Sequence, residues 1–554
     1  MRITAISAFM AVCLTVSGIY LVSAQAPQNG PGKETFSKDA TVLRNEADRL
    51  RKQQNWKEAF DRYEVLIADK KVHGKQSAAD LRSVVECMHR IGYQTRLDSL
   101  VDTAVKSHPG DWQVLRQAAE CLLQAPEHGL VADNKFERQP NGRNTGTWIS
   151  VGEQDRIKAL AWLIEAAHVA AGDPMEPTFA QTKELADLPK ATPEELSELW
   201  LQLAQTILRQ RTHQFAWRLQ SRTDLAAAPD YTDVGLSTSN VARNAPVDKD
   251  DKPLLHAVPG NWADAKSDGE RLRYALKKCR AANTITARRA DEMWVGFLDS
   301  QFSVDTLENE SFFFRSPAAD DADGKESDRK RNILALHTLG EGEAIAKLAT
   351  GIHRFDLPDE HNPIKIYREL SKGEDQIAAQ ALQALAQIFL NRRQFPEAAK
   401  VLQESIKRFG DDQNRRKTEQ LNSIVQPRAA FDPVKVQAAG RGAELAMVFR
   451  NAKEARFTVR EVNIEKLVAD TKRHVRDLER GVQNPRFGNT GNHYPPDLLD
   501  PSSLFMGRNL DDAYTGKEVA SWTLKLEPRE NHWDKRIEIA TPIQKAGLCV
   551  TVQW

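Results

Sequence analysis

The residues best equipped for chemistry in this 554-residue chain are scattered rather than assembled. His337 and His353 have no second ligand at metal-binding spacing, so each is expected at a helix surface or an interface. Asp321-Ala322-Asp323-Gly324 looks like part of a calcium loop. In a twelve-residue calcium frame, however, Ala319 would stand first and Lys330 last, and neither supplies a carboxylate. Gly340-x-Gly342 lacks the third glycine of a dinucleotide-binding loop, and its flank of Ala344, Ile345 and Leu348 reads as the core face of a helix. The sequence contains no His-Glu-x-x-His, Gly-x-Ser-x-Gly, Cys-x-x-Cys or phosphate-binding glycine loop. Charge runs at residues 248–252 and 325–331 read as solvated loops, and the remaining carboxylates nominate no acid–base pair. The sequence therefore assigns no catalytic, cofactor-binding or metal-ligating residue, calls for no cofactor, and does not read as an enzyme.

Composition narrows the remaining classes. Lys and Arg number 77 and Asp and Glu 77, so the formal net charge is zero, and no nucleic-acid partner is expected. Five cysteines (Cys13, Cys87, Cys121, Cys279, Cys549) are too few for a disulfide scaffold. At about 150 residues per domain, the length allows three or four domains.

The N-terminus speaks to compartment. Arg2 precedes an uncharged run from Ile3 to Ala24 that ends in small residues, which reads as a signal peptide (residues 1–24) cleaved after Val22-Ser23-Ala24. Cleavage after Ala24-Gln25-Ala26 would leave Pro27 at the new terminus and is disfavoured. The alternative is an uncleaved anchor, since about 20 apolar residues can span a bilayer, and only then would the chain touch a membrane. The chain is expected to be exported, to the periplasm, the cell surface or the medium.

Residues 25–40 are a Pro/Gly/Gln-rich linker. From residue 41 the period becomes helical. Leu43, Ala47 and Leu50, a break at residues 53–55, then Trp56, Ala59, Tyr63 and Ile67 spell a tetratricopeptide-type hairpin, opening a repeat region over residues 41–130. A helical region over residues 150–425 contains an amphipathic stretch with Trp162, Leu163 and Ala166. It also contains a helix start at Thr192-Pro193-Glu194-Glu195. It ends in a second hairpin at residues 382–407, with Leu382, Leu385, Ala386 and Phe389 facing Phe395, Ala398, Leu402 and Ile406. Residues 240–260 and 316–331 interrupt it. Residues 41–424 are thus expected to be predominantly helical, with paired antiparallel hairpins at both ends; a sheet of three or more strands inside them would sink the repeat assignment.

After Pro427 the period changes to two. Leu445, Met447 and Phe449, then Phe457 and Val459 across a polar turn, predict a β-hairpin. Trp522, Leu524 and Leu526, Ile537 and Ile539, and Val550 and Val552 predict further strands, with a helix inserted at residues 464–478. The pattern suits an immunoglobulin-like antiparallel sandwich over residues 430–554. The predicted whole is multidomain, a long α-solenoid region followed by that β-sandwich.

Several runs resemble large secreted bacterial proteins of the alpha-2-macroglobulin-like family. They include Gly351-Ile352-His353-Arg354-Phe355-Asp356 and its continuation to Tyr367, Asp155-Arg156-Ile157-Lys158, and Ala216-Trp217-Arg218-Leu219-Gln220. Phe449-Arg450-Asn451, Asn531-His532-Trp533-Asp534-Lys535 and Pro542-Ile543-Gln544-Lys545-Ala546-Gly547 resemble its first macroglobulin-type β-domain. The resemblance implies the front part of such a protein, with a protein partner, a protease among the candidates, or with the rest of a longer chain. Covalent protease traps of that family use a thioester within Cys-x-Glu-Gln. Here the one Cys-x-x-Gln is Cys121-Leu122-Leu123-Gln124, inside a helical repeat, so Cys121 is expected to pack as a small hydrophobe. The chain stops on the apolar run Leu548 to Trp554, so the β-domain is expected to be incomplete. A non-catalytic interaction protein is the expected function, with a thioester-lacking component of an endopeptidase inhibitor as the alternative.

Overall fold

The computed structural model describes residues 39–132, 135–139, 146–172, 190–227, 232–233, 244–307, 335–432, 440, 442–479, 515–544 and 548–553. The signal segment, the acidic run at 321–324, the charge run at 325–331 and the whole break at 316–331 lie outside them.

The chain opens with five helices: α1 (Ala40–Lys52), α2 (Trp56–Leu66), α3 (Lys75–Arg90), α4 (Leu97–Ser107) and α5 (Trp112–Leu123). Asp39 caps α1 by accepting from the Thr41 amide, and Leu43, Ala47 and Leu50 form its buried stripe. Ala47 and Ala59, both without solvent exposure, let α1 and α2 close on each other around Phe60 and Tyr63. Polar contacts then recur at a spacing of 35 or 36 residues. Arg44 reaches Asp80, Arg51 reaches Glu86, and Arg82 reaches Gln117, each at 2.7 Å. One face of α1 thus meets α3, and the same face of α3 meets α5.

Residues 41–424 are expected to be predominantly helical, but the repeat assignment over that span requires correction. Strands β1 (His128–Ala132), β2 (Lys135–Arg138), β3 (Thr147–Ser150) and β4 (Thr232–Asp233) form an antiparallel sheet in the order β2-β1-β3-β4. The repeat assignment across the span does not survive this sheet. Its strands are two to five residues long, too short to show a period. The sheet is tied to the helices by Arg138, fully buried, which donates to Asp98 at 2.9 Å and Asp155 at 2.6 Å.

Beyond it run α6 (Gly152–Ala171), α7 (Pro193–Leu208), α8 (Asp268–Ala282) and α9 (Thr284–Phe302). The start of α7 is the expected capping box: Thr192 Oγ1 accepts from the Glu195 amide at 3.2 Å, and the Glu195 carboxylate accepts from the Thr192 amide at 3.0 Å. The largest core joins these helices, with Trp200 packed between Trp262 and Tyr274.

Residues 343–348, read as a helical flank, instead form β5 (Glu343–Leu348), paired with β6 (Gly351–Asp356). Ala344, Ile345, Ala346 and Leu348 are all buried, so both faces are covered and the strand shows no polar alternation. Then come α10 (Pro363–Leu370), α11 (Gln376–Asn391), α12 (Phe395–Phe409) and α13 (Arg416–Val425). Ala398 is without exposure in one cluster with Leu385, Ala386 and Phe389, as the hairpin spacing requires.

The C-terminal part holds β7 (Arg428–Phe431), β8 (Glu444–Arg450), β9 (Glu454–Val462), α14 (Ile464–Glu479), β10 (Thr515–Lys525), β11 (Lys535–Ala540) and β12 (Leu548–Gln553). The strands build two three-stranded antiparallel sheets, β11-β8-β7 and β10-β9-β12. The expected β8–β9 hairpin is therefore corrected. Residues 451–453 carry the chain from one sheet to the other, with Asn451 in the left-handed region (φ 58°) at the crossing. Met447 and Phe449 of one sheet share a core with Ala455 and Phe457 of the other.

Candidate functional site

A polar groove runs along α3, α5 and α7. Asp111 sets its inner end. One carboxylate oxygen caps α5 by accepting from the Gln113 and Val114 amides, while the other accepts from the Gly74 amide at 2.5 Å. The starts of α3 and α5 are thereby held together. Gly74 needs its left-handed φ of 71°, and a Cβ there would lie 2.7 Å from Gln113 Oε1.

Two depressions run end to end along these helices. One, of about 320 Å³, lies between α3 and α5 and includes Arg82, Gln113 and Gln117. The other, of about 530 Å³, lies between α5, α7 and Met293 of α9 and includes Gln124, Gln202 and Gln205. Arg116 and Glu120 line both. Along this floor Arg82 Nη2 donates to Gln117 Oε1 at 2.7 Å, Arg116 Nε to Gln202 Oε1 at 3.0 Å, and Gln124 Nε2 to Glu120 Oε1 at 3.1 Å. At the edges Lys75 pairs with Glu195 at 2.8 Å and Arg209 with Glu127 at 2.6 Å. The Lys75 contact, helped by the Thr192 amide, holds the Glu195 carboxyl below its ordinary range. Amides and guanidinium groups that already exchange hydrogen bonds can re-pair with peptide carbonyls and N–H groups at little cost, which suits an extended polypeptide. The aromatic lining that a repeat surface could offer is absent here; Trp112 borders the groove but is buried.

Cys121 and Gln124 both sit at the end of α5, yet their side chains engage different partners. Gln117 Nε2 lies 3.7 Å from Cys121 Sγ, while Gln124 turns to Glu120. Burial pushes the Cys121 thiol up to about 11, and likewise Cys87, leaving little thiolate at neutral pH. His337 lies on a single 3-10 turn with its ring edge-on to Trp533, centroids 4.6 Å apart, an interfacial placement. His353, expected at a helix surface or an interface, is on β6 and pairs with Thr350 at 3.0 Å. Asp248 closes the loop at 248–252 by accepting from the Asp250 and Lys252 amides, which depresses its pKa. Among the described residues no group of three or more His, Cys, Asp or Glu is placed to hold a metal, and no helix is long and apolar enough to cross a membrane.

A second cluster, which sequence reasoning did not isolate, joins the helices to the β-region. Arg450, buried, donates to Asp534 at 2.8 and 3.0 Å and lies 4.2 Å from the centroid of Phe395 on α12. Trp533 fits between His337 and Phe395. Asn451 donates to the Ile424 carbonyl at 2.6 Å and meets His532 at 2.8 Å. The runs Phe449-Arg450-Asn451 and Asn531-His532-Trp533-Asp534 thus converge on one junction. Their joint appearance among the family-like runs was the signal that could have found it.

No family model matches the chain, and no curated protein matches it.

Proposed function

We propose that this chain is a non-catalytic, exported interaction protein, the front part of an alpha-2-macroglobulin-like protein, that binds an extended segment of a protein partner in the groove along α3, α5 and α7. The observation that carries the reading is the groove itself, two connected depressions sharing Arg116 and Glu120 and floored by hydrogen-bonding side chains. The contacts at a spacing of 35 or 36 residues favour stacked helical hairpins of tetratricopeptide type in the first five helices, an arrangement that presents its inner helices to a ligand. The shared core of the two C-terminal sheets favours a sandwich as the accompanying domain. The export assignment rests on the uncharged leader from Ile3 to Ala24.

The test is a peptide selection against the purified chain, followed by anisotropy titrations on Arg116→Glu. Because Arg116 borders both depressions, selected peptides should lose about tenfold or more in affinity, equivalent to roughly 1.4 kcal/mol. Peptides that bind R116E as tightly as the parent chain would place the partner surface elsewhere.

A further inference from the structure

A node of buried arginines lies beneath the groove-forming helices, where the start of α6, residues 211–223 and the start of α8 meet. Arg156, Arg211 and Arg271 are each at most 5% exposed. Two carboxylates face them. Glu153 accepts from Arg156 Nη2 at 2.7 Å and from Arg211 Nη2 at 2.5 Å. Asp268 accepts from Arg271 Nη1 at 3.2 Å and from the Thr223 amide at 3.0 Å. Thr223 links the halves, its hydroxyl accepting from Arg156 Nη2 at 3.0 Å and donating to Asp268.

Both charge and hydrogen bonding are left incomplete. Three guanidinium groups stand against two carboxylates, an excess of one positive charge. The half-buried Arg218 and exposed Arg222 add to the positive field at Arg211 and Arg271 respectively. Burial first, and then these neighbouring cations with Arg156, bring both arginines below their ordinary pKa. Arg271 finds part of its compensation on the Trp262 face, 5.3 Å away. Arg156 Nη1, Arg211 Nε and Arg271 Nε are buried with no acceptor among the described residues. A buried, uncompensated charge with unanswered donors is costly enough that a counter-ion is the expected remedy.

We propose that this node is a binding site for a small monovalent inorganic anion of halide type, held chiefly by Arg156 Nη1 with Arg211 and Arg271 as flanking donors. The excess of one charge among the three buried guanidinium groups and their two carboxylates sets the valence. The anion locks the start of α6 to the start of α8 through residues 211–223. This site is independent of partner binding in the groove.

The test uses the purified full chain. Thermal melts are recorded over a series of sodium chloride or bromide concentrations, each matched in ionic strength with sodium gluconate, a bulky polyhydroxy carboxylate that does not mimic a halide. The halides should raise the melting temperature by a few degrees with saturation, and gluconate should not. Arg156→Gln should abolish the halide-specific rise. Should that variant not fold, Arg222→Gln, exposed at the rim, should shift the half-saturating halide concentration upward by about twofold or more through the weakened field. Crystals grown in bromide should show an anomalous peak within hydrogen-bonding distance of Arg156 Nη1. Equal melting in halide and gluconate, a halide effect that persists in R156Q, or ordered water at Nη1 in the bromide crystals would each overturn the site.

Discussion

His256 illustrates chemistry that no motif announces. Its ring lies flat against the start of α8, so close that a Cβ on Gly269 would stand 2.3 Å from its Cγ and Nδ1. Burial pushes the imidazole down to about 4; Glu270 works against the shift, while His361 and Arg273 reinforce it. The folded pKa is thus below the ordinary 6.5, so the unfolded chain takes up a proton first as pH falls. The contribution is fully present above about pH 6.5 and is lost towards pH 4, about 3 kcal/mol in all. Asp299 works the other way. Burial lifts its carboxyl to about 7, so its contribution is present below about pH 4 and lost as pH rises to 7. Urea midpoints measured at pH 7 and pH 5 on the parent and on His256→Gln separate the two. The variant should lose less stability on acidification than the parent, and an unchanged difference would remove His256 from the account. The same contact makes Gly269→Ala costly, by roughly 1–3 kcal/mol, because the added methyl must displace a packed ring. A melt of G269A at the parent's temperature would show that the ring moves freely. Sequence alone could give neither result, since residues 256 and 269 share no pattern and meet only through the fold.

At the scale of elements, legibility followed the strength of the local signal. The start of α7 was readable because Thr192, Pro193 and Glu195 act within one turn, and their bonds form as the residue types dictate. The α11–α12 hairpin was readable for a related reason, since its buried residues recur at helical spacing on both sides of residues 391–394. Where two faces are buried the period disappears, and β5 reads as helix on that account. The β8–β9 error has another cause. A short polar turn between two alternating runs fits a hairpin or a crossing between sheets equally well, and the choice depends on β7, β10, β11 and β12 supplying partners from afar. The groove was legible only as far as the first hairpins, because Arg82, Arg116 and Gln202 acquire their relation from stacking. The packing at Ala398 allows a direct check. It has no exposure and sits against Leu385 and Phe389, so Ala398→Trp must force α11 and α12 apart and should cost roughly 1–3 kcal/mol. Chemical denaturation with an unchanged midpoint would mean that the two helices do not meet there.

At the scale of the whole molecule, the decisive contacts are those that join the helices to the sheets. The chain passes from α13 to β7 through two residues, a connection too slight to fix two bodies, so the orientation must come from the junction. Arg450 is buried at its centre, and its charge is answered by Asp534, itself about a third exposed, and by the Phe395 ring. Neutralising Asp534 removes the carboxylate that answers this buried cation, at a cost that partial solvent access lowers to roughly 1–3 kcal/mol. Trp533 adds a second tie by wedging against His337 and Phe395, and Asn451 a third through the Ile424 carbonyl. These contacts couple the β-region to the C-terminal helices α12 and α13, so the two should unfold together. Differential scanning calorimetry of the parent should show them in one transition, and the double variant Trp533→Ala, Asp534→Asn should resolve a separate, earlier transition for the β-region. The assignment of that peak can be made by hydrogen exchange of the backbone amides around Trp522, which packs face to face on Phe457 inside the β-core. If the double variant melts with the parent's shape and temperature, the junction is a contact without coupling, and the sheets hang from the helices by the chain alone.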